Sequence, residues 1–237
     1  MTHFVLVHGG WHGAWCWEAE VSALEERGHS ATAVELPSDD VRAGARQYAA
    51  TIAAAVRGPG DVVVGHSLAG LAIPLVPQRT AVAALVFLAS LLPEPGRSWR
   101  DQLTLGRPMA EWFYDNGLPK QERDEQGRTV WPASVAAKLF FHDCPPELAA
   151  AAAARLRPQS PAPITEVTPL QAFPELPMHY VGCRADRAVS GDWAERTAKD
   201  RLGTEVTWLD TSHSPFLSAP GELADLLVTL ASRSEVR

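Results

Sequence analysis

Along the chain, short runs of β-branched and other apolar residues alternate with segments whose apolar positions recur every three or four residues. The runs are Phe4–Val7, Ala31–Glu35, Val62–Val64, Val82–Leu88, Met178–Val181 and Glu205–Leu209, each bounded by glycine or polar residues. A run as continuously apolar as Val62-Val63-Val64 predicts a strand covered on both faces, the environment of a parallel sheet. Between the first two runs, Glu18 to Gly28 places Val21 and Leu24 on one helical stripe and stops at a glycine. The final segment, Pro220 to Ser232, repeats Leu223, Leu226, Leu227 and Leu230 at helical spacing, with Ser218 as the expected N-cap and Pro220 in the first turn. Strands alternating with helices predict an α/β fold with a doubly wound, mainly parallel sheet of about six strands.

One stretch breaks the alternation. Of the 19 prolines, 13 fall between Pro93 and Pro177, in a region rich in aromatics: Trp99, Trp112, Phe113, Tyr114, Trp131, Phe140 and Phe141. It holds no convincing strand; Pro146 to Leu156 reads as a helix and much of the rest as loops. The expectation is a single domain over residues 1–237, with this stretch, roughly 93–177, inserted as a helical cap over the sheet's C-terminal edge. A separate small helical domain is the alternative.

Composition adds exclusions. Lys and Arg number 21 against 28 Asp and Glu, a net charge of −7, which disfavours nucleic acid and anionic membrane as partners. The Met1-Thr2-His3-Phe4 start has no basic stretch before an apolar one, so it does not read as a signal peptide. The longest apolar run, Ala81 to Leu92, is too short for a membrane helix. Cys16, Cys144 and Cys183 lie far apart without metal-ligand spacing, which fits a reducing cytoplasm. Oligomeric state is left open between monomer and homodimer.

Three motifs carry chemistry. Val62-Val63-Val64-Gly65-His66-Ser67-Leu68-Ala69-Gly70 reads as strand, sharp turn and helix start. A serine hydroxyl attacks a carbonyl only when a base can take its proton, and such a turn presents it to one, provided its neighbours are small. The strict G-x-S-x-G pattern fails at Ala69, and a serine capping a helix would look similar. The second motif, Phe4-Val5-Leu6-Val7-His8-Gly9-Gly10, runs a strand into a glycine loop suited to backbone N–H donation to an oxyanion. Gly10 and Leu68 are the expected donors, and His8 is expected to support the loop. Third, Asp186 and His213 each follow a predicted strand, in the order serine, acid, histidine. Asp210, three residues before His213, and Asp192 are rival acids. The remaining histidines, His66 among them, read mostly as surface or packing residues; His12 and His142 are candidates for a pocket wall.

Val5-Leu6-Val7-His8-Gly9-Gly10-Trp11-His12-Gly13-Ala14-Trp15-Cys16-Trp17, Val64-Gly65-His66-Ser67-Leu68-Ala69-Gly70 and Val86-Phe87-Leu88-Ala89 together resemble the plant methylesterase and hydroxynitrile-lyase group of α/β-hydrolases and its bacterial relatives. The likeness continues through Lys138-Leu139-Phe140-Phe141-His142-Asp143-Cys144-Pro145-Pro146-Glu147-Leu148 and Leu156-Arg157-Pro158-Gln159-Ser160. It implies an α/β-hydrolase fold, a triad of Ser67, Asp186 and His213, and oxyanion donors at Gly10 and Leu68. It also implies that lyases of the group carry lysine after the catalytic histidine, threonine at the Gly10 position and cysteine at the Leu68 position. Here Ser214 follows His213. Hydrolysis of a small-molecule carboxylic ester, with no metal or organic cofactor, is therefore the expected activity. A lyase, decarboxylating esterase or cyclase reaction on the same triad is the alternative, and a ligand receptor is a further one. His12, Trp131, Phe140 and Phe141 are expected to bind the apolar part of the substrate, although such aromatics could equally anchor the cap.

Overall fold

The computed structural model describes residues 1–234. Eight strands form: β1 (His3–Val7), β2 (Ser30–Val34), β3 (Val62–His66), β4 (Ala84–Leu88), β5 (Glu122–Arg123), β6 (Thr129–Val130), β7 (Met178–Cys183) and β8 (Val206–Leu209). Six of them make one sheet in the order β2-β1-β3-β4-β7-β8, with every neighbouring pair parallel. The α-helices are α1 (Glu18–Glu26), α2 (Ala45–Ala55), α3 (Trp99–Gly106), α4 (Ala133–Phe140), α5 (Pro146–Ala154), α6 (Ala162–Thr165), α7 (Gly191–Thr197), α8 (Pro215–Ser218) and α9 (Pro220–Ser234).

Side-chain alternation explains why the middles of the central strands are apolar. On β1 and β3, Val5, Val7 and Val63 face one core with α2, whereas Phe4, Leu6, Val62 and Val64 face the other with α1 and α9. The order reverses at β1: β2 lies on one side of it and β3 on the other. Such a reversal leaves a crevice at the carboxyl ends of β1 and β3, where open α/β sheets bind ligands.

Residues 89–177 add no strand to this sheet. The absence of strands expected there is corrected by β5 and β6, which form a small antiparallel hairpin of their own. Helical patterns were expected in this stretch, and it holds α3, α4, α5 and α6, with α5 falling on the expected Pro146 to Leu156 segment. A hydrophobic cluster that includes Phe113, Trp131, Leu139, Phe140 and Phe141 holds this segment together. Ser218 ends α8 instead of capping α9. Among the described residues, no helix is long and apolar enough to cross a membrane.

On α1, Glu20 is wholly buried and neither of its carboxylate oxygens finds a hydrogen-bond partner. Burial pushes its pKa up to about 8, against a weaker opposing pull from Arg27. Below the unfolded-state value both states are protonated, so Glu20 does not tilt the balance. Between that value and about 8 the native state holds a proton the unfolded chain has released, so stability falls as pH rises. Glu20→Gln is expected to flatten this slope, gaining on the order of 3 kcal/mol over the native protein above the window and little at pH ~5. Urea unfolding at both pH values checks it; parallel pH profiles for the two proteins would contradict it.

Candidate active site

Ser67 stands at the end of β3 with φ of 50°, a left-handed conformation that costs a non-glycine residue energy. The helical turn beginning there has His66 at its N-cap position and no side-chain cap, so Ser67 is not serving as a capping residue. Leu68, second in that turn, has an N–H without an intrahelical acceptor. Close packing around the turn explains the glycines. A Cβ on Gly9 would lie 2.8 Å from the Ser67 Cβ, and one on Gly70 would collide with the Leu91 carbonyl. The turn thus keeps two small residues in succession: Ala69 is fully buried, and Gly70 has no room for a Cβ.

At the end of β1, His8 accepts the Leu36 N–H at Nε2 (3.1 Å), so its Nδ1–H donates to the Gly9 carbonyl (2.8 Å). It thus braces the glycine loop, as expected. Gly10 packs over Leu68, whose Cβ would sit 3.7 Å from an added Gly10 Cβ, and no residue among those described accepts the Gly10 N–H. The two expected oxyanion donors are therefore neighbours beside Ser67.

The loops after β7 and β8 bring Asp186 and His213 together. The His213 Nδ1–H donates to Asp186 Oδ2 at 2.8 Å, with both side chains almost fully buried. Asp186 Oδ1 accepts the N–H groups of Ala188 (2.6 Å) and Val189 (3.1 Å), which fixes the carboxylate. Asp210 is mostly exposed and pairs with Arg184 at 3.1 Å, and Asp192 lies in the first turn of α7; neither rival acid is hydrogen-bonded to His213. His213 is tied to the Ser67 turn through His66, whose Nε2–H donates to the His213 carbonyl at 2.9 Å. Their rings lie 4.6 Å apart.

Ser67 and Leu68 open into a cavity of about 330 Å³ roofed by residues 99–165. Phe140 lines it, together with Trp11, Trp99, Phe113 and Tyr114. Of the other aromatics expected to bind substrate, His12, Trp131 and Phe141 do not line this cavity. Phe140 and Phe141 are adjacent at the end of α4, so only one faces inward, and Phe141 is fully buried behind it. Trp131 packs edge-on against Trp11 and Phe140. His12 is enclosed by Trp15, Phe140, Phe141 and Phe216, and burial holds its pKa down at about 3, so it stays neutral. His142 also lies outside the lining.

The alpha/beta hydrolase family model matches residues 4–226. The chain belongs to the alpha/beta hydrolase family. The hydrolase is 31% identical to a probable esterase, PIR7A, of Oryza sativa subsp. indica, across 98% of this chain and 97% of that one. It is 29% identical to norfluorocurarine synthase 2 of a Strychnos species, across 98% and 96%. Among solved structures it superposes on a pyrethroid hydrolase from Sphingobium faniae JZ-2 with a TM-score of 0.78, at 24% identity over 98% of this chain and 97% of that one.

Several supports of this hydrolase's site escape local sequence patterns. Asp143, in the loop after α4, accepts the Ser212 N–H at 2.6 Å and also the Ser212 hydroxyl, clamping the residue before His213 to the cap. Gln159 accepts the Trp11 N–H (3.4 Å) while its amide donates to the Tyr48 hydroxyl (3.0 Å). His66, expected as a packing residue, carries the hydrogen bond to the loop that holds His213. The signal present in the sequence was the cap motif around Asp143; its partner 69 residues away was not legible.

Proposed function

We propose that the protein is a serine esterase in which Ser67, His213 and Asp186 form the catalytic triad. The observation that carries this reading is the Asp186–His213 hydrogen bond, held beside a left-handed Ser67 at the floor of an apolar cavity. With Nδ1–H committed to Asp186, His213 has Nε2 free to take the Ser67 proton as the serine oxygen attacks an ester carbonyl. The Gly10 and Leu68 N–H groups hold the oxyanion, each lowering the barrier by roughly 3 kcal/mol when aligned. The alcohol leaves with the proton from His213. Water, deprotonated by the same imidazole, then releases the acid and restores Ser67.

The esterase names among its relatives support ester hydrolysis over the other chemistries of the fold. Ser214, buried directly after His213, offers no cation to a departing anion, which weighs against the lyase reading. The substrate is a small molecule that fits the cavity under the cap, and the cap and sheet act as one domain. Three buried, unpaired cysteines support a cytoplasmic location. A fluorophosphonate probe tests the nucleophile: covalent mass on the peptide carrying Ser67 is expected, and its absence from folded protein overturns the assignment.

A further inference from the structure

The cavity above Ser67 carries a charge pattern that ester hydrolysis alone does not use. Its lining includes two arginines, Arg100 and Arg123, and no aspartate or glutamate, on a chain whose net charge is −7. Backbone geometry puts both there. On α3, Trp99 and Leu103 are four residues apart, as are Arg100 and Thr104, so one face of the helix forms a wall. Trp99 is buried while Arg100 and Thr104 are exposed, which makes the inner part of this wall apolar and its rim polar. On the hairpin, Arg123 pairs with Thr129, and both line the cavity. Glu122 alternates to the other face and lines an outer groove with Lys120 and Lys138.

Three nearby carboxylates are already engaged. Asp101 accepts the Ser98 N–H (2.9 Å) and hydroxyl (2.6 Å) at the start of α3. Asp124 is held by Arg128 at 2.7 Å. Glu94 is shared by Arg97 and Arg201. Arg123 donates one N–H to the Gly127 carbonyl (2.9 Å), leaving most of its guanidinium uncommitted. The Arg100 guanidinium has no hydrogen-bond or ion-pair partner among the described residues. An unpaired guanidinium at the mouth of an apolar cavity is a fork-shaped donor suited to a carboxylate.

We propose that the preferred substrate is an ester whose apolar body ends, away from the scissile bond, in a carboxylate that Arg100 and Arg123 receive at the cavity rim. This rests on the esterase reading above, since the ester carbonyl must sit over Ser67 for the far end of the molecule to reach the rim. Apolar walls bind the body without regard to charge, so the arginines act as the selectivity element.

Two activated esters of equal length test it: 4-nitrophenyl hydrogen suberate, with a free terminal carboxylate, and its methyl-capped analogue, followed by nitrophenolate release. The native enzyme is expected to favour the acid over the capped ester in kcat/KM by about five- to tenfold at low salt, the scale of a partly exposed ion pair. The ratio is expected to fall towards one in Arg100→Gln, to survive in part in Arg100→Lys, to drop in Arg123→Gln, and to shrink as NaCl rises. Equal or faster turnover of the capped ester by the native enzyme overturns the proposal, as does a ratio unchanged in Arg100→Gln. Failure to release nitrophenolate from either ester, in protein whose Ser67 reacts with the fluorophosphonate, also counts against it. If Ser67 does not react at all, the esterase reading itself has failed.

Discussion

Ser67→Ala is expected to lower kcat by about 10⁵- to 10⁶-fold while leaving the folded structure and its unfolding midpoint nearly unchanged. Alanine keeps the Cβ, so the left-handed backbone at this position, φ of 50°, is neither relieved nor worsened. The hydroxyl caps no helix, so its removal should cost less than about 1 kcal/mol. This contrast separates the two readings of the motif. A capping serine would lose up to ~2 kcal/mol and retain turnover; a nucleophile does the reverse. Some catalysis over water would persist in the variant, because the Gly10 and Leu68 N–H groups and the cavity remain. Steady-state hydrolysis of a 4-nitrophenyl ester alongside a thermal melt measures both quantities. A loss of less than tenfold in kcat would remove Ser67 from the chemistry.

The parts of this molecule that were legible in the sequence are those written in short range. Runs rich in β-branched and apolar residues marked all six strands of the main sheet to within two residues; Val62-Val63-Val64 on β3 is apolar without a break because both faces of that strand are covered. Gly28, with φ of 77°, ends the first helical stretch as its type requires. Helix α2 was not marked, although its buried residues Ala45, Tyr48, Ala49 and Ile52 recur at helical spacing; alanines occupy its exposed face as well, so Tyr48 and Ile52 alone carry the stripe. The hairpin β5–β6 is only two residues per strand, too short for alternation to register. Within the cap, composition announced aromatics but not their directions, since adjacent Phe140 and Phe141 share one helix end and face different neighbours. Contacts such as Asp143–Ser212 and His66–His213 join residues 69 and 147 positions apart. They arise from how the cap and the strand ends pack, which no local pattern encodes.

Asp186, the proposed acid, is the residue whose substitution tests the hydrogen-bond arithmetic of the site most sharply. Asp186→Asn is expected to reduce kcat by about 10⁴-fold with little change in ester binding. Position 186 already has two backbone N–H groups, from Ala188 and Val189, directed at one oxygen. An asparagine there satisfies them only with its carbonyl oxygen, which turns its NH₂ towards His213 Nδ1. The imidazole must then accept at Nδ1 and carry its proton on Nε2, the tautomer that cannot receive the Ser67 proton. The loss therefore comes from the wrong tautomer on an intact scaffold, and Asp186→Asn should fold normally. Asp210→Asn serves as the paired measurement: its carboxylate faces solvent and Arg184, so turnover should stay within about twofold, the scale of a surface change away from the site. If Asp210→Asn abolished hydrolysis and Asp186→Asn did not, the base would be oriented from the β8 loop and the Asp186–His213 contact would be structural only.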